Sequence, residues 1–152
     1  MISATAQRID GSSPLDRRRA RAWALQIHYR WESEGGGRSL SHVLDETLAS
    51  RRMAPQRVPF VRRLVEAMEE NASEVDTRLE EALENWTLAR LGSIDRGVLR
   101  VAATEMLYLP DVPPLVSIHE AIRIAEAYGG PKSPGFVNGV LDALHHSEAD
   151  GT

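Results

Sequence analysis

Cysteine is absent from the 152-residue sequence, and lysine occurs once, at Lys132. Without thiols the chain forms no disulfide, no thiolate zinc site and no cysteine nucleophile. No window approaches the roughly 18 consecutive apolar residues of a membrane span, and the N-terminus lacks the apolar stretch of a secretory signal. The sequence therefore predicts a cytoplasmic protein.

Positive charge is concentrated near the N-terminus. Residues 8–30 hold six arginines and two aspartates, a balance of +4, so a net charge of -4 leaves -8 for the rest of the chain. A basic segment on an acidic body suggests a specific anionic partner, whereas general binding to polyanions requires a basic surface throughout.

Apolar residues recur at spacings of three and four along most of the chain, a pattern typical of amphipathic helices. Ser13, Pro14 and Asp16 predict the capped start of a first helix. Breaks at Gly35–Gly37, before Pro55, at 71–73, at 110–114 and at Gly129 separate further helices. The sequence predicts an all-α fold of about seven helices in a compact bundle.

Two later helices have their own start signals. Ser73 with Asp76 predicts the start of a helix that Trp86 closes, and Ser117 with Glu120 predicts a capping box at the start of another. Residues 1–12 are polar and aperiodic, so they are predicted to form a flexible tail. The last helix is predicted to fray over residues 147–152.

The sequence offers little for catalysis. His119 and Glu120 resemble the start of a zinc-protease helix, but Arg123 stands where the second histidine belongs. His145 and His146 lie at a helix end, where exposed histidines are common. No glycine-rich phosphate loop is present. We therefore expect no enzyme activity and no metal site.

The basic cluster has two interpretations, a solvated helix face or a nucleic-acid contact, because guanidinium groups pair with phosphates. Tyr29, further along the same helix, is either a base-stacking side chain or core. Phe136, near the start of the last helix where backbone N–H groups can bind phosphate, is likewise either an RNA contact or core. The cluster consists of Arg17, Arg18, Arg19 and Arg21.

Three segments together resemble the NusB family of bacterial transcription antitermination factors: RRRARAWALQIHYRW, SIDRGVLRVAATEMLYLPDVPPLVSIHEAIRIAEAYG and SPGFVNGVLDAL. The resemblance implies two packed helical bundles within one domain, residues 13–146, with an N-terminal subdomain of about 13–85 and a C-terminal one of about 86–146. It also implies binding of boxA-type single-stranded RNA together with NusE, a small-subunit ribosomal protein. This complex joins other Nus factors on RNA polymerase to suppress premature termination, notably in ribosomal RNA operons, and no cofactor is implied.

The resemblance further implies roles for individual residues. NusE contacts are expected at Asp95 and, more weakly, at Glu105. Before Phe136 the sequence reads KSPG, where the family often has a basic residue, so Lys132 replaces that charge in part. The implied RNA contacts are Arg17, Arg18, Arg19, Arg21, Gln26, Tyr29, Lys132 and Phe136.

Two other functions remain open at the level of sequence. One is a protein-interaction adapter or homodimer whose basic face is masked until a partner displaces it. The other is a NusB-like accessory domain of an RNA methyltransferase, which is disfavoured because the sequence ends at Thr152 with no catalytic domain or cysteine.

Overall fold

The structure is a computed structural model that describes residues 10–150. Over that range the chain forms seven α-helices and two 3-10 turns, at Pro55–Arg57 and Leu88–Arg90, and no strand. The predicted all-α fold is therefore confirmed. The helices are α1 (Pro14–Ser33), α2 (Leu40–Ser50), α3 (Val58–Glu70), α4 (Ala72–Ala82), α5 (Ser93–Tyr108), α6 (Pro114–Tyr128) and α7 (Ser133–Asp150).

Helix α1 begins as the sequence predicts. The Asp16 backbone N–H donates to Ser13 Oγ at 3.0 Å, and the Ser13 N–H donates to Asp16 Oδ2 at 3.2 Å. Each group satisfies a donor that the helix start would otherwise leave without an acceptor. The capping box thus fixes where the arginine cluster enters the helix.

The chain forms two compact units, one up to Glu70 and one from Asn71 onward. In the first unit α1, α2 and α3 pack against one another. Burial of large apolar side chains, each contributing about 1.5–3 kcal/mol, holds this unit together. Its most deeply buried residues include Ala20, Ile27, Val43, Leu44, Phe60, Val61 and Leu64.

In the second unit α5, α6 and α7 pack against one another, and α4 packs on α5 and α7. The division falls after Glu70, earlier than the predicted boundary near residue 85, because the apolar face of α4 is buried among helices that follow it. Val75 and Leu79 supply that face. The core of this unit also includes Leu99, Ala103, Ala125, Val137, Leu141 and Leu144.

Two helix starts differ from the prediction. Helix α6 begins at Pro114, before the predicted capping box, and Ser117 instead donates from Oγ to Glu105 Oε1 at 2.8 Å in the interior. Proline suits the first helical position because it has no N–H to lose. Helix α4 begins at Ala72, after Asn71, and ends before Trp86, which is exposed.

Both ends of the described chain are more ordered than predicted. Asp10 and Ser12 are bound to α1 and α3 through side-chain hydrogen bonds, so the predicted tail does not extend over residues 10–12. Helix α7 continues to Asp150, so the predicted fraying does not begin at residue 147. Residues 1–9 and 151–152 of those two predictions lie outside the described range.

Within residues 10–150, no helix combines the length and the apolar character that crossing a membrane requires.

Candidate nucleic-acid interface

One face of α1 presents polar and aromatic side chains to solvent. Arg18, Arg19, Gln26 and Tyr29 are all exposed, and Tyr29 retains 50% of its surface. Arg18 and Arg19 are adjacent, Gln26 lies seven positions after Arg19, and Tyr29 lies three after Gln26. With 3.6 residues per turn, these spacings place all four side chains within about 100° of the helix circumference. We call these four residues the α1 stripe.

The opposite face of α1 buries the other two arginines of the cluster. Arg17 is 6% exposed and Arg21 is 3% exposed. Their guanidinium carbons lie 4.7 Å and 5.4 Å from the centroid of the fully buried Phe60 ring. At these distances a cation is attracted by the face of an aromatic ring. Arg63 from α3 lies over the same ring at 5.6 Å.

A short segment before α1 neutralises part of this charge. Arg63 Nη1 donates to Asp10 Oδ2 at 2.7 Å, and Arg17 Nη2 lies 3.4 Å from Asp10 Oδ1. Arg17 Nε donates to Ser12 Oγ at 2.8 Å, and that hydroxyl donates in turn to Asp10. Burial alone raises the pKa of Asp10, but these hydrogen bonds and the Arg17 charge lower it to about 2.

These positions divide the predicted contacts of α1 into two groups. Arg18, Arg19, Gln26 and Tyr29 share one exposed face, so the interpretation of Tyr29 as core is wrong. Arg17 and Arg21 lie on the buried face, where their side chains pack on Phe60. An RNA backbone at the surface of α1 would therefore meet two of the four clustered arginines, not all of them.

The second unit contains a cavity of about 640 Å³ with mostly apolar walls. Three of the lining residues have predicted roles, and the roles concern two different partners. Asp95 is a predicted NusE contact, whereas Lys132 and Phe136 are predicted RNA contacts. Lys132 is exposed and Phe136 is half-buried. The residues that line the cavity include Trp86, Arg90, Asp95, Lys132, Ser133 and Phe136.

Sequence reasoning gave no contact role to Trp86 or Arg90. Trp86 is 48% exposed, and the Arg90 guanidinium carbon lies 5.3 Å from its ring centroid. The sequence does contain a signal, because Trp86 lies in a polar connection between Leu83 and Leu88, where a tryptophan has no core to join. The prediction instead placed Trp86 at the end of a packed helix.

Glu105 is fully buried on α5 and accepts the hydrogen bond from Ser117. Its carboxylate therefore has a partner inside the second unit and does not lie on a surface that another protein can reach. Asp95, in the first turn of the same helix, is half-buried and lines the cavity. Of the two predicted NusE contacts, only Asp95 lies where a partner can approach.

No histidine-centred site forms in the part of the chain that the structure describes. His119, His145 and His146 lie on helices α6 and α7, and no group of three His, Asp or Glu side chains among residues 10–150 is placed to hold a metal ion. The geometry of the described chain thus leaves two candidate surfaces, the α1 stripe and the cavity of the second unit.

Comparison with solved structures places the fold among known ones. T. maritima NusB superposes with a TM-score of 0.77 at 35% identity, over 89% of this chain and 92% of that one. A crystal structure of antitermination factors NusB and NusE in complex with dsRNA gives a TM-score of 0.78 over 89% of this chain and 99% of that one. Its identity is 24%, so that likeness concerns the fold alone.

Comparison of sequences agrees with that of folds. The transcription antitermination protein NusB of Chloroherpeton thalassium is 37% identical over 134 residues, which is 87% of this chain and 62% of that relative. Residues 18–146 match the NusB family as a whole. The chain therefore belongs to the NusB family.

Proposed function

We propose that this protein is an RNA-binding transcription antitermination factor that binds boxA-type single-stranded RNA. The observation that carries the proposal is the α1 stripe, in which two exposed arginines and an exposed tyrosine share one helix face. Single-stranded RNA is held by cations on its phosphates and by aromatic rings under its bases. The stripe offers both within about three turns of helix.

Phe136 and Lys132 of the second unit form the other part of the proposed RNA contact. Phe136 is half-buried and its backbone N–H already donates to the Lys132 carbonyl at 3.1 Å, so its ring, not its N–H, is the group available to RNA. Lys132 is exposed and can meet a phosphate. The proposed RNA contact therefore has two parts, the α1 stripe in the first unit and Lys132 with Phe136 in the second, and each part is argued from the side chains of its own unit.

The proposal includes NusE as protein partner and the Nus complex on RNA polymerase as the place of action, in the cytoplasm. Support comes from the names of the relatives, and the fold is similar to that of NusB in a structure with NusE and dsRNA. The proposed role is binding alone, without a catalytic step or cofactor.

A fluorescence titration with boxA RNA tests the proposal, carried out with and without NusE at two salt concentrations. We expect saturable binding that NusE tightens and that salt weakens, with a log–log slope of roughly 0.7 per phosphate contacted. Binding that is absent, or unaffected by salt under both conditions, would contradict the proposed function. A scrambled RNA of the same composition is the matched control for sequence preference.

A further inference from the structure

We propose that residues 10–12 form an acidic strap that covers a phosphate subsite of the first unit, and that a backbone phosphate of bound RNA displaces this strap. The subsite is the group of guanidinium side chains around Phe60, to which α3 contributes Arg63 beside the two buried arginines of α1. The inference deepens the proposed function, on which it rests, by adding a masked contact next to the α1 stripe.

Three cations converge on one aromatic ring in the first unit. The guanidinium carbons of Arg17, Arg21 and Arg63 lie 4.7 Å, 5.4 Å and 5.6 Å from the centroid of the Phe60 ring. Because Phe60 is fully buried, the like charges around it repel more strongly than they would in water, and an anion beside them stabilises the arrangement. The array is therefore an anion site, and the carboxylate of Asp10 occupies it.

The carboxylate of Asp10 stands where a phosphate group would fit. A carboxylate and a phosphodiester each spread one negative charge over two equivalent oxygens, and guanidinium groups donate to both kinds of oxygen. Asp10 divides its oxygens between two helices, with Oδ2 at 2.7 Å from Arg63 Nη1 and Oδ1 at 3.4 Å from Arg17 Nη2. A phosphodiester at the same place keeps the local charge unchanged, so the exchange leaves neither arginine without an anion.

The strap has hydrogen bonds of its own, which do not depend on the helices. The Ser12 N–H donates to Asp10 Oδ1 at 3.0 Å, and Ser12 Oγ donates to the same oxygen. An aspartate bonded in this way to the backbone two residues ahead forms a local turn. Gly11, between the two residues, has a φ of 72°, which glycine adopts without strain. Asp10 therefore keeps donors for Oδ1 when it leaves the arginines, and its departure costs only its contacts with α1 and α3.

An approaching phosphate meets Arg63 before it meets Asp10. The side chain of Arg63 retains 24% of its surface, whereas that of Asp10 retains 3%. Arg17 directly precedes Arg18, the first residue of the α1 stripe, so an RNA strand that follows the stripe reaches the strap. Because the strap must open before a phosphate enters, its closure lowers the apparent RNA affinity by the fraction of molecules that are open.

The test compares the boxA RNA affinity of the wild type with that of Asp10→Asn in a fluorescence titration. The amide keeps the shape of the side chain but removes the charge that competes with phosphate, so we expect binding to tighten about fivefold. Asp45→Asn is the matched control, since it removes an equal charge from an exposed carboxylate of the same unit. Its affinity is expected to stay close to that of the wild type. Circular dichroism melting checks that the helices of each variant are intact.

A second pair of variants links the gain in affinity to the subsite. In the Asp10→Asn protein, we expect the further change Arg63→Ala to remove the gain, because the phosphate loses its contact on α3. Arg62→Ala is the matched control, since Arg62 is the preceding residue of α3 and pairs with Asp45 instead. The two double variants carry the same net charge, so a difference between them does not arise from the overall field of the protein.

Amide NMR spectra follow the strap directly. When the wild type is saturated with boxA RNA, we expect the amide resonances of Gly11 and Ser12 to move toward random-coil positions, because the displaced strap no longer contacts α1. Inorganic phosphate, compared with chloride at equal ionic strength, is the second probe. It distinguishes a site for free anions from a site for a phosphate held in RNA, and we expect it to leave these resonances in place.

The outcomes separate the strap from the proposed function. If Asp10→Asn binds boxA RNA no more tightly than the wild type, or if Asp45→Asn gains as much, the strap is wrong while the proposed RNA binding stands. Equal effects of Arg63→Ala and Arg62→Ala would remove the subsite. Strap resonances that stay in place with RNA, or that move with inorganic phosphate alone, would overturn the displacement by RNA. Absence of boxA RNA binding in the wild type and in every variant would overturn both proposals.

Discussion

The two faces of α1 hold the same residue type in opposite surroundings. Arg17 and Arg21 are buried against Phe60, whereas Arg18 and Arg19, from the same short cluster, are exposed. A helix turns by about 100° per residue, so neighbours in sequence point to different surroundings. The face on which an arginine lies, and not its place in a basic cluster, therefore decides whether its side chain is buried or available to a partner.

The largest effect is expected on the buried face. Arg17→Ala removes a cation from the buried Asp10 carboxylate and leaves space beside Phe60, so we expect the free energy of unfolding to fall by about 3 kcal/mol. Urea denaturation measures this loss. Arg19→Ala, from the exposed face, is the control and should change the free energy by less than about 0.5 kcal/mol. Equal losses for the two variants would remove the distinction between the faces.

The exposed face should respond in binding instead of stability. We expect the double variant Arg18→Ala/Arg19→Ala to weaken boxA RNA binding about tenfold and to reduce the log–log salt slope by about 1.4, if each side chain neutralises one phosphate. Its unfolding curve should match that of the wild type. The measurement is a fluorescence titration at several salt concentrations.

A matched control removes the same charge elsewhere in the first unit. Arg51 and Arg52 are exposed beyond the end of α2, and their double substitution by alanine changes the net charge of the chain equally. We expect its RNA affinity to stay close to that of the wild type. If it falls as far as that of the α1 variant, RNA binding follows total charge and the stripe is not a site.

Local signals in the sequence predicted the helices well. The Ser13 and Asp16 capping box, the glycine stop after α1 and the number of helices all depend on contacts within a few positions, which periodicity and capping patterns report directly. The start of α6 could not be assigned in this way. Ser117 has the pattern of a cap, but its hydroxyl is used by Glu105 of another helix.

Long-range contacts account for most of what the sequence did not reveal. Asp10 lies 53 positions from Arg63, and nothing near Asp10 signals that pairing, so the segment was predicted to be a flexible tail. Whether each arginine is buried or exposed could have been predicted from its position around the helix relative to the apolar residues of α1. Ala20, Ala24 and Ile27 share a face with Arg17 and Arg21, and the exposed arginines lie opposite.

Acid should weaken the contacts that Asp10 makes with the buried face. The folded-state pKa of Asp10 is lowered from 3.8 to about 2, so its contribution to stability is present above the unfolded pKa and is lost as the pH falls through the folded one. Allowing for solvent screening, we expect this contribution to be about 1 kcal/mol near neutral pH.

Comparison of the wild type with Asp10→Asn by urea denaturation isolates that contribution. The difference in free energy of unfolding between the two proteins should be largest above about pH 5 and should shrink as the pH falls toward 3, where Asp10 in the unfolded chain is protonated. A difference that is constant over this range would show that the Asp10 charge does not stabilise Arg17 and Arg63. Asp45→Asn, at an exposed carboxylate paired with Arg62, is the control.

The smallest effect is expected at the start of α1, which both faces share. Ser13→Ala removes the acceptor for the Asp16 N–H, so we expect the free energy of unfolding to fall by about 0.5–1 kcal/mol. Ser33→Ala, at the exposed C-terminal end of the same helix, is the matched control because its hydroxyl only donates to carbonyls of the preceding turn. RNA affinity should be unchanged in both variants, since neither serine belongs to the α1 stripe. A loss of RNA affinity on Ser13→Ala without a loss of stability would mean that the helix start itself contacts RNA, and the binding surface would then extend beyond the stripe toward Ser13.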